Sequence, residues 1–181
     1  MKYVLSLLIA ASVFVACKQG VKGKDGKTYS AVEYNDYIVN RQMIVLKNMM
    51  SIADITDDKI DWGLSVMSKT ADTLDVLIKD VKDLPPFKQD SSLRDAAADL
   101  FAFYQRIFKE DYRELFEIRK NGGMATEEGM ARMNEIVEKV SKEEDGLDKR
   151  FETAQNAFAR SNGMRLEENS MQKKIDKMNE E

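Results

Sequence analysis

The chain has 181 residues, with 28 basic and 32 acidic side chains, a formal net charge of −4, one cysteine, two prolines and no histidine. The acidic balance argues against nucleic acid as a partner, because neutralising phosphates needs a basic surface. The missing histidine removes Ser-His-Asp and Cys-His catalysis, the usual zinc sites, His-ligated haem and the Glu-x-x-His motif of di-iron bundles, and no glycine-rich phosphate loop or dinucleotide fingerprint occurs.

The N-terminus reads as an address. Met1 and Lys2 form a minimal basic start, Tyr3 to Val15 an apolar run broken by two serines, and Phe14-Val15-Ala16-Cys17 closes it with a small residue before the only thiol. The run is too short to span a bilayer as a helix, which needs about 20 apolar residues, so it fits a cleaved signal, residues 1–16. It resembles the bacterial lipoprotein signal, in which an apolar and small-residue box precedes a cysteine that takes fatty-acyl chains such as palmitate. Phe14 stands where the strict box has an aliphatic residue, as relaxed boxes of spirochaetes and Bacteroidetes allow. The resemblance implies lipidation at Cys17, stable attachment through two or three chains and, with Lys18 after the cysteine, the outer membrane. The other reading is an ordinary secretory signal with an incidental thiol. A lone thiol is a liability in an oxidising compartment, which favours lipidation.

Residues 17–30 carry Lys18, Lys22, Lys24 and Lys27 against Asp25, with interspersed glycines, and are expected to form a flexible tether reaching about 20 Å. Its lysines either lie against anionic headgroups or are simply solvated.

Beyond the tether, apolar residues recur at alternating steps of three and four, the period of a helix. Ser30 and Glu33 form a capping box, and the first helix is predicted from about Ala31 to Ala53. Its stripe is Asn35, Ile38, Gln42, Val45, Met49 and Ile52. A second helix starts near Asp57 or Asp58, with Ile60, Leu64, Met67, Ala71, Leu74, Ile78 and Val81 on one face, and ends before Pro85-Pro86. A third runs from Ser91 or Ser92 to about Lys120, with Leu100, Phe101, Tyr104, Ile107, Phe108 and Leu115 forming a wide aromatic face, and stops at Asn121-Gly122. Thr126 restarts the chain. The fourth stripe reads Met130, Met133, Val137, Val140, Glu144, Leu147, Phe151, Ala154 and Phe158, with one charged position.

Short connections make these helices antiparallel neighbours. The expected fold is therefore all-α, an up-down-up-down four-helix bundle over residues 31–163, followed by a charged helical or frayed tail, 164–181. No catalytic residue, cofactor or metal site is expected. The methionines are read as core filler rather than a copper site, and the acidic pairs as caps and solvated faces rather than calcium ligands.

Folding the helices about their loops brings Glu144 level with Tyr104, with the segment Ser68 to Ala71 and with Arg41 and Gln42. This polar layer is a register device, as buried polar groups are in coiled coils, a ligand pocket, or an accident of exposure at the bundle rim. Asp111 falls elsewhere, nearer Lys47. The stretch AVEYNDYIVNRQMIVLKN, from Ala31 to Asn48, resembles the first helix of small helical surface lipoproteins of spirochaetes and Bacteroidetes. That resemblance implies a membrane-anchored helical domain without assigned chemistry. The expected role is non-enzymatic, a lipid-anchored bundle in the cell envelope presenting a surface to an envelope or host protein. The alternative is a small-ligand- or metal-binding lipoprotein built on the layer around Glu144.

Overall fold

A computed structural model of the chain describes residues 10–13, 20–53 and 55–168; Cys17, the rest of the signal segment and the tail beyond 168 lie outside them. Two short strands come first, β1 (Ala10–Val13) and β2 (Val21–Lys22), then β3 (Thr28–Tyr29). Strands β2 and β3 pair antiparallel. Residues 20–30 are thus an ordered hairpin and not the expected flexible tether. Its turn is built by Asp25, whose Oδ1 accepts from the Lys27 N–H (3.1 Å), and by Gly26, which takes φ +83°. Only glycine adopts that left-handed conformation freely. Tyr29 anchors the hairpin, donating from Oη to Asp25 Oδ2 (2.7 Å) and meeting the Tyr37 ring edge-on at 5.4 Å.

Helix α1 (Ala31–Ala53) starts at the capping box, with the Glu33 N–H donating to Ser30 Oγ (3.3 Å) and the Ser30 N–H to Glu33 Oε2 (2.8 Å). After a 3-10 turn at Asp57–Lys59, α2 (Ile60–Lys82) runs to the double proline. The third predicted helix divides into α3 (Ser92–Lys109) and α4 (Asp111–Lys120) around Glu110, at φ −121° and ψ −79°. No proline or glycine marks the break. It turns Asp111 inward, where Arg106 and Lys139 meet its carboxylate.

Thr126 caps α5 (Glu127–Ser161) by accepting from the Gly129 N–H (3.1 Å). Gly163, at φ +63°, follows the helix stop, and β4 (Arg165–Glu168) then pairs antiparallel with β1. The start of the tail is therefore a strand rather than a helix. Its partner belongs to the segment that the signal reading removes, so on that reading the pairing exists only before cleavage.

The helices form an all-α bundle, and cross-links fix how neighbours run. Tyr34 donates to the Pro85 carbonyl and Arg41 pairs with Asp80, so α1 and α2 are antiparallel. Gln105 donates to the Ala71 carbonyl, and Arg94 to that of Leu84 just after α2, giving α3 the opposite sense to α2. Asp99–Arg150, Tyr104–Glu144, Asp111–Lys139 and Glu114–Arg132 do the same for α5 against α3 and α4. The interior is filled by Ile38, Leu46, Met67, Leu74, Phe101 and Phe151. Near the hairpin, Tyr34, Phe87 and Phe158 form an aromatic knot with centroids 5.1 to 5.5 Å apart.

Candidate functional site

The polar layer assembles in part. Tyr104 on α3 is fully buried and donates from Oη to Glu144 Oε1 at 3.1 Å; Glu144 on α5 is 2% exposed. Burial pushes the Glu144 carboxyl up to about 7, opposed by the Tyr104 hydrogen bond and reinforced by Asp145. One turn on, Asp148 is half-buried and is pushed up to about 8, by burial first and then by Glu144 and Asp145. The Tyr104 hydroxyl is held well above its ordinary range by burial and by both carboxyls. A pair of this kind holds protons near neutrality instead of two full charges.

Gln42 on α1 is 1% exposed, and neither its Nε2 nor its Oε1 meets a hydrogen-bond partner; Asp148 Oδ2 is likewise buried without one. Arg41, expected in the layer, is not part of it. One residue from Gln42 is about 100° around a helix, which turns Arg41 toward α2. There its guanidinium donates to Asp80 Oδ2 (2.8 and 3.2 Å) and lies 3.3 Å over the Tyr37 ring. From α2 the level receives Thr70, buried but donating to its own helix at the Val66 carbonyl, while Ser68 is exposed.

A second buried polar contact was not anticipated. Gln155 Nε2 donates to Asn35 Oδ1 at 2.8 Å, joining α5 to α1. Gln155 stands four residues after Phe151 and three before Phe158, so the helical period pointed at it. The predicted stripe passes instead through Ala154, which is only half-buried. Asp111 is buried too, but Arg106 and Lys139 (2.7 Å) serve it rather than Lys47, and Arg106 also reaches Glu143 (2.6 Å). These ties lock α3, α4 and α5 around the break.

The exposed surface differs between the two ends. Arg119 donates to the Ile55 carbonyl (2.7 Å) and pairs with Asp57 (2.8 Å), and Lys120 pairs with Asp61 (2.6 Å), so the α1–α2 and α4–α5 connections share one end. That end exposes Trp62 (52%), Met124 (54%) and Met130 (54%). The hairpin lies at the other, where Lys24 pairs with Asp83 (2.5 Å).

Among the described residues, no cluster of three or more His, Cys, Asp or Glu could hold a metal ion, and no helix is long and apolar enough to cross a membrane. Comparison with protein-family models, curated proteins and solved structures found no match to this chain.

Proposed function

We propose that the chain is a non-enzymatic, lipid-anchored protein of the cell envelope, held at Cys17 and presenting the far end of its bundle to another protein. The observation that carries this reading is the apolar tip of Trp62, Met124 and Met130. The hairpin follows Cys17 after a few residues and lies at the opposite end. Helix α1, with 23 residues, spans about 35 Å, which sets the tip's distance from the anchored end. Single exposed apolar residues are ordinary, as Ile44 and Val76 are midway along the helices. A tryptophan and two methionines gathered at one end match the side chains enriched at protein interfaces. Asp57, Asp58, Asp61, Glu127 and Glu128 surround the tip, against Lys59, Arg119 and Lys120. The partner it suits is a protein with an apolar contact inside a basic rim.

Affinity capture from intact envelopes tests the reading, with the tethered protein as bait beside a Trp62→Ser/Met130→Ser variant of unchanged helix content. One protein lost from the variant's captured set supports it. Identical capture by both rejects the tip as the docking surface.

A further inference from the structure

The bond between Gln155 and Asn35 fixes the register of α1 against α5. Seven residues on along α1 stands Gln42, and seven back along α5 stands Asp148; on antiparallel helices two turns, or about 10.5 Å, bring both to one level. Gln42 lies in the same interior-facing stripe as Asn35. The two levels are nevertheless finished differently. At the first, Gln155 donates to Asn35 Oδ1 and Asn35 Nδ2 lies 3.4 Å from Asp36 Oδ1. At the second, Gln42 Nε2, Gln42 Oε1 and Asp148 Oδ2 are buried and unpartnered, each having lost its water without a replacement partner. A register device has its polar groups partnered, as Asn35 and Gln155 are.

We propose that Gln42, Tyr104, Glu144 and Asp148, at one level of the bundle, bind a small primary ammonium. Among the described residues no cation pairs with Glu144 or Asp148: Arg41 pairs with Asp80, Arg106 and Lys139 with Asp111, and Arg150 with Asp99, while Lys142 and Lys149 are exposed. An ammonium presents three N–H donors, matching three acceptors, the Glu144 carboxylate, Asp148 Oδ2 and Gln42 Oε1. Gln42 Nε2 is left to donate to a carboxylate oxygen that the ammonium does not use. A divalent metal is a poorer fit, since calcium takes six to eight oxygens and the level supplies two carboxylates. Asp148 is the half-buried member of the level, the other three being buried. The titratable groups facing the pair are Tyr104 on α3 and Asp145 on α5, with Tyr112 on α4 acting on Tyr104; α1 contributes only the neutral amide. Because burial keeps both carboxyls protonated toward neutral pH, binding a cation releases protons and strengthens as pH rises from 6 to 8.5.

The test is thermal unfolding of the full chain in ethylammonium chloride and in tetramethylammonium chloride, equal in charge and ionic strength but differing in N–H donors. At pH 8.5 ethylammonium should raise the midpoint saturably and tetramethylammonium should not, with apparent affinity at least tenfold weaker at pH 6. Asp148→Asn, nearly isosteric, should abolish the rise while helix content is kept. Calorimetry of the unmodified chain in two buffers of different ionisation heat should show proton release on adding ethylammonium, a readout independent of any variant. Equal shifts by the two salts, no shift by either, a shift retained in Asp148→Asn, or binding without proton release would each overturn the site and leave the layer a structural feature only.

Discussion

Glu144 should make the fold weaken as the solution becomes more alkaline. Its carboxyl is ordinarily half-protonated near 4.5 and in the folded chain is pushed up to about 7, so between those values the native state holds a proton that the unfolded chain has released. Stability that depends on this proton is fully present below the lower value and is lost as pH rises through the upper one. At roughly 1.4 kcal/mol per pH unit, the loss attributable to Glu144 is about 3 kcal/mol, a large fraction of the ~5–15 kcal/mol of a typical domain. Glu144→Gln removes the titration while keeping an oxygen for the Tyr104 hydroxyl. Urea unfolding at intervals from pH 4.5 to 8 should show the unmodified chain losing about 3 kcal/mol more than the variant across that range. Asp148 titrates in both proteins in the same sense, and since Glu144 helps to raise it, its own slope shrinks in the variant, so about 3 kcal/mol is a lower bound on the observed difference. Parallel curves, or an unmodified chain that gains stability over the variant as pH rises, would refute the burial argument.

Mass spectrometry of protein extracted from membranes should find acyl chains on an N-terminal Cys17; a mature form beginning elsewhere, or Cys17→Ser protein still processed and membrane-bound, would mark the signal as ordinary. Leu74 and Phe151 are buried in the middle of the bundle, so Leu74→Ala should cost about 2–5 kcal/mol and Phe151→Ala about 3–5 kcal/mol, read as lower denaturant midpoints; unchanged midpoints would contradict the packing. At Gly63 an added Cβ would stand 2.6 Å from Ile55 Cδ1 and 2.7 Å from Phe116 Cε1. Gly63→Ala should therefore destabilise despite alanine's better helix propensity, because overpacking costs about 1–3 kcal/mol against a gain of about 1 kcal/mol; a variant more stable than the unmodified chain would show that α2 and α4 are not in close contact there.

Sequence periodicity carried much of the architecture. Every member of the first stripe, from Asn35 to Ile52, is buried, and the Ser30–Glu33 box and the Thr126 cap form as their spacing predicts. The division at Glu110 was invisible because its cause is tertiary: two cations from other turns meet Asp111, and no local residue signals it. The hairpin at residues 20–30 has the composition of a tether, rich in lysines and glycines. Its order depends on Tyr29 closing over Asp25 and packing on Tyr37, a contact that no period reports. Tyr104 and Glu144 could be paired from loop-centred folding because errors of a residue or two still leave long side chains in reach. Arg41 could not be placed by level alone, since its neighbour Gln42 takes the inward direction and Asp80 offers a surface partner.

The most direct test of the proposed role places a photo-crosslinking residue at Trp62, on the exposed end, or at Lys88, on the hairpin end, in chains expressed in intact source cells. The account predicts a discrete adduct to one protein from position 62 and none from position 88. No adduct from position 62, or the same adducts from both positions, would contradict a bundle that docks through its far tip.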